Sequence, residues 1–375
     1  MTDIEGFCDE RFRPLGDLFR HNLETGIDKG ASLAVTLGGE LVVDLWGGPR
    51  DPAGTPWVED TIAPLYSTSK VMMIIATLMA WDRGLLDIDT PIAEYWPEFA
   101  ANGKQDVTIR QVLVHRSGLP GFGRSVSFDE LHDWAHMVAA VESAPLWHPP
   151  DTITCYCMVV SGFVLGELLQ RRTGRPFASF CEEEIAAPLG ADVHFGLSAE
   201  DQSRVSHIWP PDSFPELPTD LARRCFAEFL PGRGYTDPDR MAAVLPSANA
   251  CGNARGLARV GAMLAMGGAL HGRRYLSRGV IEQASSEQNY SVDEFWGWCR
   301  YGLGFGLHSA EYAAPTPTTF HWGGFGGSFA SMDMATGVSC GYVPNLLRAD
   351  ENGLAEKRRM DMWAVLGKVT VALSK

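Results

Sequence analysis

Ser67 and Lys70 stand three residues apart in Leu65-Tyr-Ser-Thr-Ser-Lys70, at the mouth of the apolar run Val71 to Trp81. Three residues is nearly one helical turn. On a helix beginning here both side chains would share a face, with the ammonium nitrogen within hydrogen-bond reach of the serine oxygen. A free serine hydroxyl is a poor nucleophile, and a neighbouring amine takes its proton only when burial or nearby cations push the lysine toward its neutral form. The Val-Met-Met-Ile-Ile-Ala that follows Lys70 supplies apolar surroundings. A helix N-terminus also favours the oxyanion of an acyl-transfer intermediate. Two fixed positions are a weak pattern on their own, and the plain alternative is an N-cap serine beside a solvated lysine.

A second serine competes for the nucleophile's role. Gly337-Val-Ser-Cys-Gly341 matches the Gly-x-Ser-x-Gly elbow, which needs a strand before the serine, a helix after it and a histidine downstream. Here the pattern follows a turn and runs on into Tyr-Val-Pro, and no histidine occurs after His321. Ser339 therefore reads as a strand residue.

The elements that must position these groups come from the rest of the chain. Its 375 residues, 45% of them apolar and 21% charged, suffice for one large or two medium soluble domains. A net charge of −15 disfavours nucleic acid or an anionic membrane surface as partner and favours small, neutral substrates. The acidic N-terminus lacks the basic and apolar regions of a secretory signal, and Val71 to Trp81 is about half of a membrane span, so the expected compartment is the cytoplasm. The eight cysteines lack Cys-x-x-Cys spacing and are expected as free thiols, with no metal site.

Helical spacing over 5–28 predicts an amphipathic first helix, and Ala31 to Leu37 and Glu40 to Trp46 predict a hairpin turning at Gly38-Gly39. From Gly84 to about Leu189, helical patterns alternate with proline-rich loops, including a short capped helix within Val107 to Pro120. Residues 199–246 read as a polar surface insertion lining a substrate entrance. Ala254 to Gly267 predicts a helix, Tyr301 to His308 opens a series of strands, Phe320 to Ala330 and Gly337 to Val343 predict neighbouring strands, and 355–373 a closing helix. Strands at both ends with helices between them predict an α+β domain, 1–85 with 240–375, carrying an inserted mainly helical domain, 86–239, and a cleft between the two.

With these elements in place, the chain resembles the serine β-lactamase and penicillin-binding family, in the class C β-lactamase-like branch that includes the class VIII carboxylesterases. Three motifs occur in the family's order: Ser67-Thr-Ser-Lys70, Tyr156-Cys-Met158 and Trp322-Gly-Gly324. Leu113-Val-His-Arg-Ser-Gly-Leu-Pro120, Ala187-Pro-Leu-Gly190 and Trp322-Gly-Gly-Phe-Gly-Gly-Ser328 also look like family features, and the resemblance spans roughly 15 to 370. It implies a β-lactamase-like fold, an antiparallel sheet flanked by helices. It further implies Ser67 as the acylated nucleophile, Lys70 and Tyr156 as the shared general base, and the backbone N–H groups of Ser67 and Phe325 as the oxyanion hole. Phe325 is expected on the same strand as Trp322, Gly323 and Gly324, which with Met158 would meet the substrate.

Two departures carry information. Trp322 stands where the lactamases hold a substrate carboxylate with lysine, and Met158 where they grip an amide with asparagine. The expected pocket is apolar and uncharged where a β-lactam would need charge, and the expected activity is hydrolysis of small, neutral, short-acyl esters by a monomer or homodimer without cofactor. The alternatives are β-lactam or amide hydrolysis, acyl transfer, and a non-catalytic ligand-binding relative.

Overall fold

The computed structural model describes residues 3–212, 216–229, 234, 236–349 and 357–373. In chain order the elements that matter for the site are β1 (Ile4–Cys8), α1 (Arg13–Glu24), β2 (Ala31–Leu37), β3 (Glu40–Gly47), α2 (Lys70–Asp82), α3 (Val160–Thr173) and α4 (Ala254–Ala265). They continue as β4 (Asn289–Asp293), β5 (Gly297–Tyr301), β6 (Gly306–Leu307), β7 (Phe320–Gly323), β8 (Phe329–Asp333), β9 (Val338–Pro344) and α5 (Lys357–Leu373).

Among the described residues these nine strands form one antiparallel sheet in the order β1-β3-β2-β9-β8-β7-β6-β5-β4. The β2–β3 hairpin turns on Gly38 and Gly39 at φ 61° and 90°, the left-handed pair that a two-residue turn between twisted strands requires. Residues 86–239 contribute no described strand to this sheet. The chain is α+β, with helices on both faces of the sheet.

One face is covered by the two terminal helices. Phe12, Leu15 and Phe19 at the start of the chain meet Trp363 and Leu366 of α5 over Val35, Val43, Phe329 and Tyr342. The other face carries α4, whose Gly261 lies over Met332 and Ser339, so that helix and strands approach closely. Beyond α4 comes α2, buried at every position from Lys70 to Ala80 and therefore apolar all round apart from Lys70 and Thr77. No helix among the described residues is long and apolar enough to cross a membrane.

Three local expectations change. The first helix does not start at residue 5: Ile4–Cys8 is an edge strand on β3, Asp9 caps a short turn by accepting from the Arg11 N–H, and α1 begins with Pro14 in its first turn. An edge strand touches the core weakly and leaves little periodic signal. The strand series opens at Asn289, earlier than Tyr301. Phe320 to Ala330 is not one strand, because the glycine-rich stretch after Gly323 forms a loop before β8 resumes at Phe329; Gly324 and Phe325 thus lie just past the end of β7. The expected first residues of the closing helix, 355 and 356, lie outside the described residues, as does part of the 199–246 insertion.

Candidate active site

Ser67 lies in a single tight turn, Tyr66–Ser69, that leads directly into α2 at Lys70. The turn is entered through Tyr66 at φ 50°, a left-handed conformation costly for an aromatic residue and stable only when its surroundings enforce it. Those surroundings are polar anchors on both sides. Thr68 Oγ1 donates to the Ser328 carbonyl at 3.1 Å, Ser328 Oγ donates to the Leu65 carbonyl at 2.8 Å, and Ser69 Oγ accepts from the Ala250 N–H at 2.9 Å. A Cβ on Gly324 would collide with the Leu65 carbonyl oxygen, so glycine is what lets the end of β7 abut this turn.

The group that meets the serine oxygen is a phenol. Tyr156 hydroxyl donates to Ser67 Oγ at 2.7 Å, across 89 positions of sequence. Lys70 Nζ instead donates to the Met158 carbonyl at 2.8 Å and the Ser247 carbonyl at 3.0 Å, and stands 4.9 Å from the centre of the Tyr156 ring. The expected direct lysine–serine bond is thus replaced by one from tyrosine, and the Lys70 amine is held by the two carbonyls instead.

Burial sets the protonation of both groups. Lys70 is taken wholly out of water, which pushes its pKa down to about 7. The same desolvation pushes the Tyr156 phenol above its ordinary value, against the opposing effect of its bond to Ser67. His115 packs edge-on against the Tyr156 ring at 5.1 Å, and its burial lowers its pKa to about 3, so it is neutral.

A cavity of about 510 Å³ opens over this group, lined by Ser67, Tyr156, Met158, Trp322, Gly323, Gly324 and Phe325. Every residue expected at the site except Lys70 borders it. Leu217, Arg223, Phe226 and Ala227 of the 199–246 stretch also line it, as do Phe295 and Trp296 next to Tyr156. Trp322 and Met158, expected to make it apolar where a β-lactam would need charge, do line it, but charge enters elsewhere. Arg223, Arg300 and Arg359 also line it. Arg223 pairs with Asp220 at 2.5 Å and Arg300 with Glu287 at 2.7 Å. Arg359 has no carboxylate among the described residues: its buried Nε has no partner, and its guanidinium lies 5.4 Å from the Tyr312 and Trp363 rings, against the position where Gly323 lacks a Cβ. Nothing in its Lys-Arg-Arg context marks it, because what distinguishes it is the fold around it.

Ser339 sits fully buried in β9, opposite Thr36 and Met332, with its hydroxyl unpaired. It has no route to a substrate and no base.

A family model described as Beta-lactamase matches residues 17–361. Esterase/beta-lactamase LipL of Mycobacterium tuberculosis (strain ATCC 25618 / H37Rv) is 32% identical over 363 residues, covering 92% of this chain and 83% of that protein. The crystal structure of a family VIII carboxylesterase superposes with a TM-score of 0.90 at 34% identity, over 98% of this chain and 100% of the other. A penicillin-binding protein homologue from Caulobacter crescentus superposes with a TM-score of 0.91 at 31% identity, over the same shares of the two chains.

Proposed function

The chain belongs to the β-lactamase family, and from that premise we propose that it is a serine carboxylesterase working through an acyl-Ser67 intermediate. The observation that carries the reading is the 2.7 Å bond from the Tyr156 hydroxyl to Ser67 Oγ at the floor of a largely apolar cavity. The relatives named as an esterase and a carboxylesterase support ester hydrolysis as the reaction. The favoured substrates are small esters with short acyl groups, since Trp322, Phe325 and Met158 crowd the site. The reading needs no metal or cofactor, and eight free cysteines suit a reducing compartment such as the cytoplasm.

The proton path follows from the two shifted groups. A phenolate is costly in a buried site, so Tyr156 takes the serine proton only as it passes its own to Lys70. A neutral Lys70 amine spends both N–H groups on the Met158 and Ser247 carbonyls and keeps a lone pair to receive that proton. Ser67 Oγ then bonds to the carbonyl carbon while backbone N–H groups of Ser67 and Phe325 receive the oxyanion. Collapse breaks the ester C–O bond, and the leaving alcohol takes the proton back through Tyr156. Water, deprotonated along the same path, attacks the acyl carbon and releases the acid and Ser67.

This path fixes the sign of the pH dependence. kcat/KM for a nitrophenyl ester is expected to rise with pH and level off, with its midpoint near the Lys70 pKa of about 7, because the neutral amine accumulates above it. His115 at about 3 and Cys157, pushed to about 11 by burial, do not titrate between. Asp293, raised by burial to about 7, ionises in the same window and adds to the same sign. A flat profile from about pH 5 to 9 would remove Lys70 from the proton path.

Arg359 favours a second reading, in which the ester or lactam carries a carboxylate that its guanidinium receives. The two readings separate cleanly in Arg359→Leu. Under the first, kcat/KM for nitrophenyl acetate stays within about twofold; under the second, turnover of nitrocefin or a dicarboxylic half-ester falls by about 10- to 100-fold, the range of a lost charge-assisted bond. Comparing neutral and anionic substrates in both proteins makes the measurement.

A further inference from the structure

We infer that Asp293 is the positioning residue that holds Tyr156 against Ser67. The inference rests on the role proposed for Tyr156.

The tyrosine sits in an irregular stretch, 155–157, between a turn and the start of α3, where no helix or sheet takes up its backbone N–H groups. Buried N–H groups must find partners elsewhere. His115 supplies partners for two of them. The Cys155 N–H donates to the His115 carbonyl at 3.0 Å, and the Cys157 N–H reaches His115 Nδ1 at 3.4 Å. His115 thus grips the residues on either side of the tyrosine.

Asp293 acts on the tyrosine ring through a turn. Its Oδ1 accepts from the Phe295 N–H at 2.8 Å, which closes a turn just after β4. That turn presents Phe295 and Trp296 to the Tyr156 ring, with centroids 5.9 and 5.6 Å away. Neighbouring bonds fasten β4 to the tyrosine stretch: the Glu294 N–H donates to the Thr154 carbonyl at 3.0 Å, and Asn289 Nδ2 donates to Thr154 Oγ1 at 3.0 Å.

The carboxylate is buried, with Tyr301 hydroxyl as a further donor at 3.3 Å and no salt bridge to a cation among the described residues. Burying a carboxylate with only neutral donors is unfavourable. An apolar residue would fill the space at lower cost but would leave the Phe295 N–H unpaired and the turn open. The benefit is geometric: a charged acceptor makes shorter and more directional bonds than a neutral one, and it makes one at the turn that packs on the tyrosine ring. The phenol oxygen must stay within hydrogen-bond distance of Ser67 Oγ, and displacement by a fraction of an ångström is enough to matter.

The test is a double-mutant cycle on kcat and KM for nitrophenyl acetate, with thermal unfolding to confirm folded protein. Asp293→Ala is expected to lower kcat by about 10- to 100-fold with KM within about twofold. Asp293→Asn, which keeps a carbonyl acceptor, should restore kcat to within about fivefold of wild type. In a Tyr156→Phe background neither change should lower kcat further, because Asp293 acts through the hydroxyl that is gone. Full kcat in Asp293→Ala beside a crippled Tyr156→Phe overturns the inference alone, as does an equal loss in both backgrounds. Full kcat in Tyr156→Phe overturns the base assignment and this inference together. If Asp293→Ala does not fold, Asp293→Asn decides: a loss that vanishes with Tyr156→Phe supports positioning, and no loss or a persisting one rejects it.

Discussion

Ser67→Ala is expected to lower kcat for a short nitrophenyl ester by about a thousandfold or more, leaving the fold intact. The loss is large because the oxygen removed is the atom that would bond to the acyl carbon; among the described residues the Tyr156 hydroxyl bonds to no other hydroxyl. Only residual catalysis from substrate positioning and backbone oxyanion donors would remain. The fold should tolerate the change, since the turn is held by Thr68, Ser69 and Ser328, none of which bonds through Ser67 Oγ. Ser339→Ala is the matched control. It removes a buried, unpaired hydroxyl remote from the cavity, so turnover should stay within about twofold of wild type and stability should hold or rise. Steady-state kinetics and thermal unfolding of the two variants side by side check both statements.

Lys70→Met should have the second largest effect, about 10²- to 10⁴-fold on kcat, the range of a lost general base. Stability should respond differently. The substitution takes away an amine whose burial is unfavourable, which stabilises, and strips the Met158 and Ser247 carbonyls of a donor, which destabilises. These effects oppose each other, so the unfolding free energy is expected to move by less than about 2 kcal/mol. A near-normal fold with crippled turnover would mark Lys70 as a residue kept for its proton chemistry. In the same variant the rise near 7 should shrink to the part that Asp293 ionisation contributes. Normal turnover in Lys70→Met would assign the base role to Tyr156 alone.

The nucleophile and its lysine were legible because both lie in one short stretch, followed by an apolar run that the structure buries from Lys70 to Ala80. Local order in the chain translates directly into local geometry there. Tyr156 emerged only from the order of three motifs, since nothing about a tyrosine between two cysteines marks it as a base. Sequence spacing also suggested the wrong partner for the serine oxygen: shared helix faces predict a Lys70 contact, whereas carbonyls from 158 and 247 hold the amine and a phenol 89 positions away reaches the serine.

Ser339 was rejected on its strand-like surroundings, and it does lie in β9. The missed strands share a cause. β1 is an edge strand, and β4 and β5 leave Tyr290, Val292 and Trp298 exposed, so their alternation of apolar and polar residues is blurred. Asp293 and Arg359 were invisible for a different reason. A single acid or base takes its meaning from distant neighbours: for Asp293, the tyrosine stretch more than a hundred positions earlier; for Arg359, a glycine on the adjacent strand that leaves room for its head group. The pocket's remaining charge was therefore the part of the site furthest from anything the chain shows locally.

The central claim is that Ser67 is acylated, and covalent labelling tests it most directly. Treating the protein with a fluorophosphonate probe and mapping the modified peptide by mass spectrometry should place a single adduct on Ser67, with labelling lost in Ser67→Ala, retained in Ser339→Ala and accelerated as pH rises through about 7. An adduct on Ser339 or any other serine, or a folded protein that takes up no probe, would contradict the account.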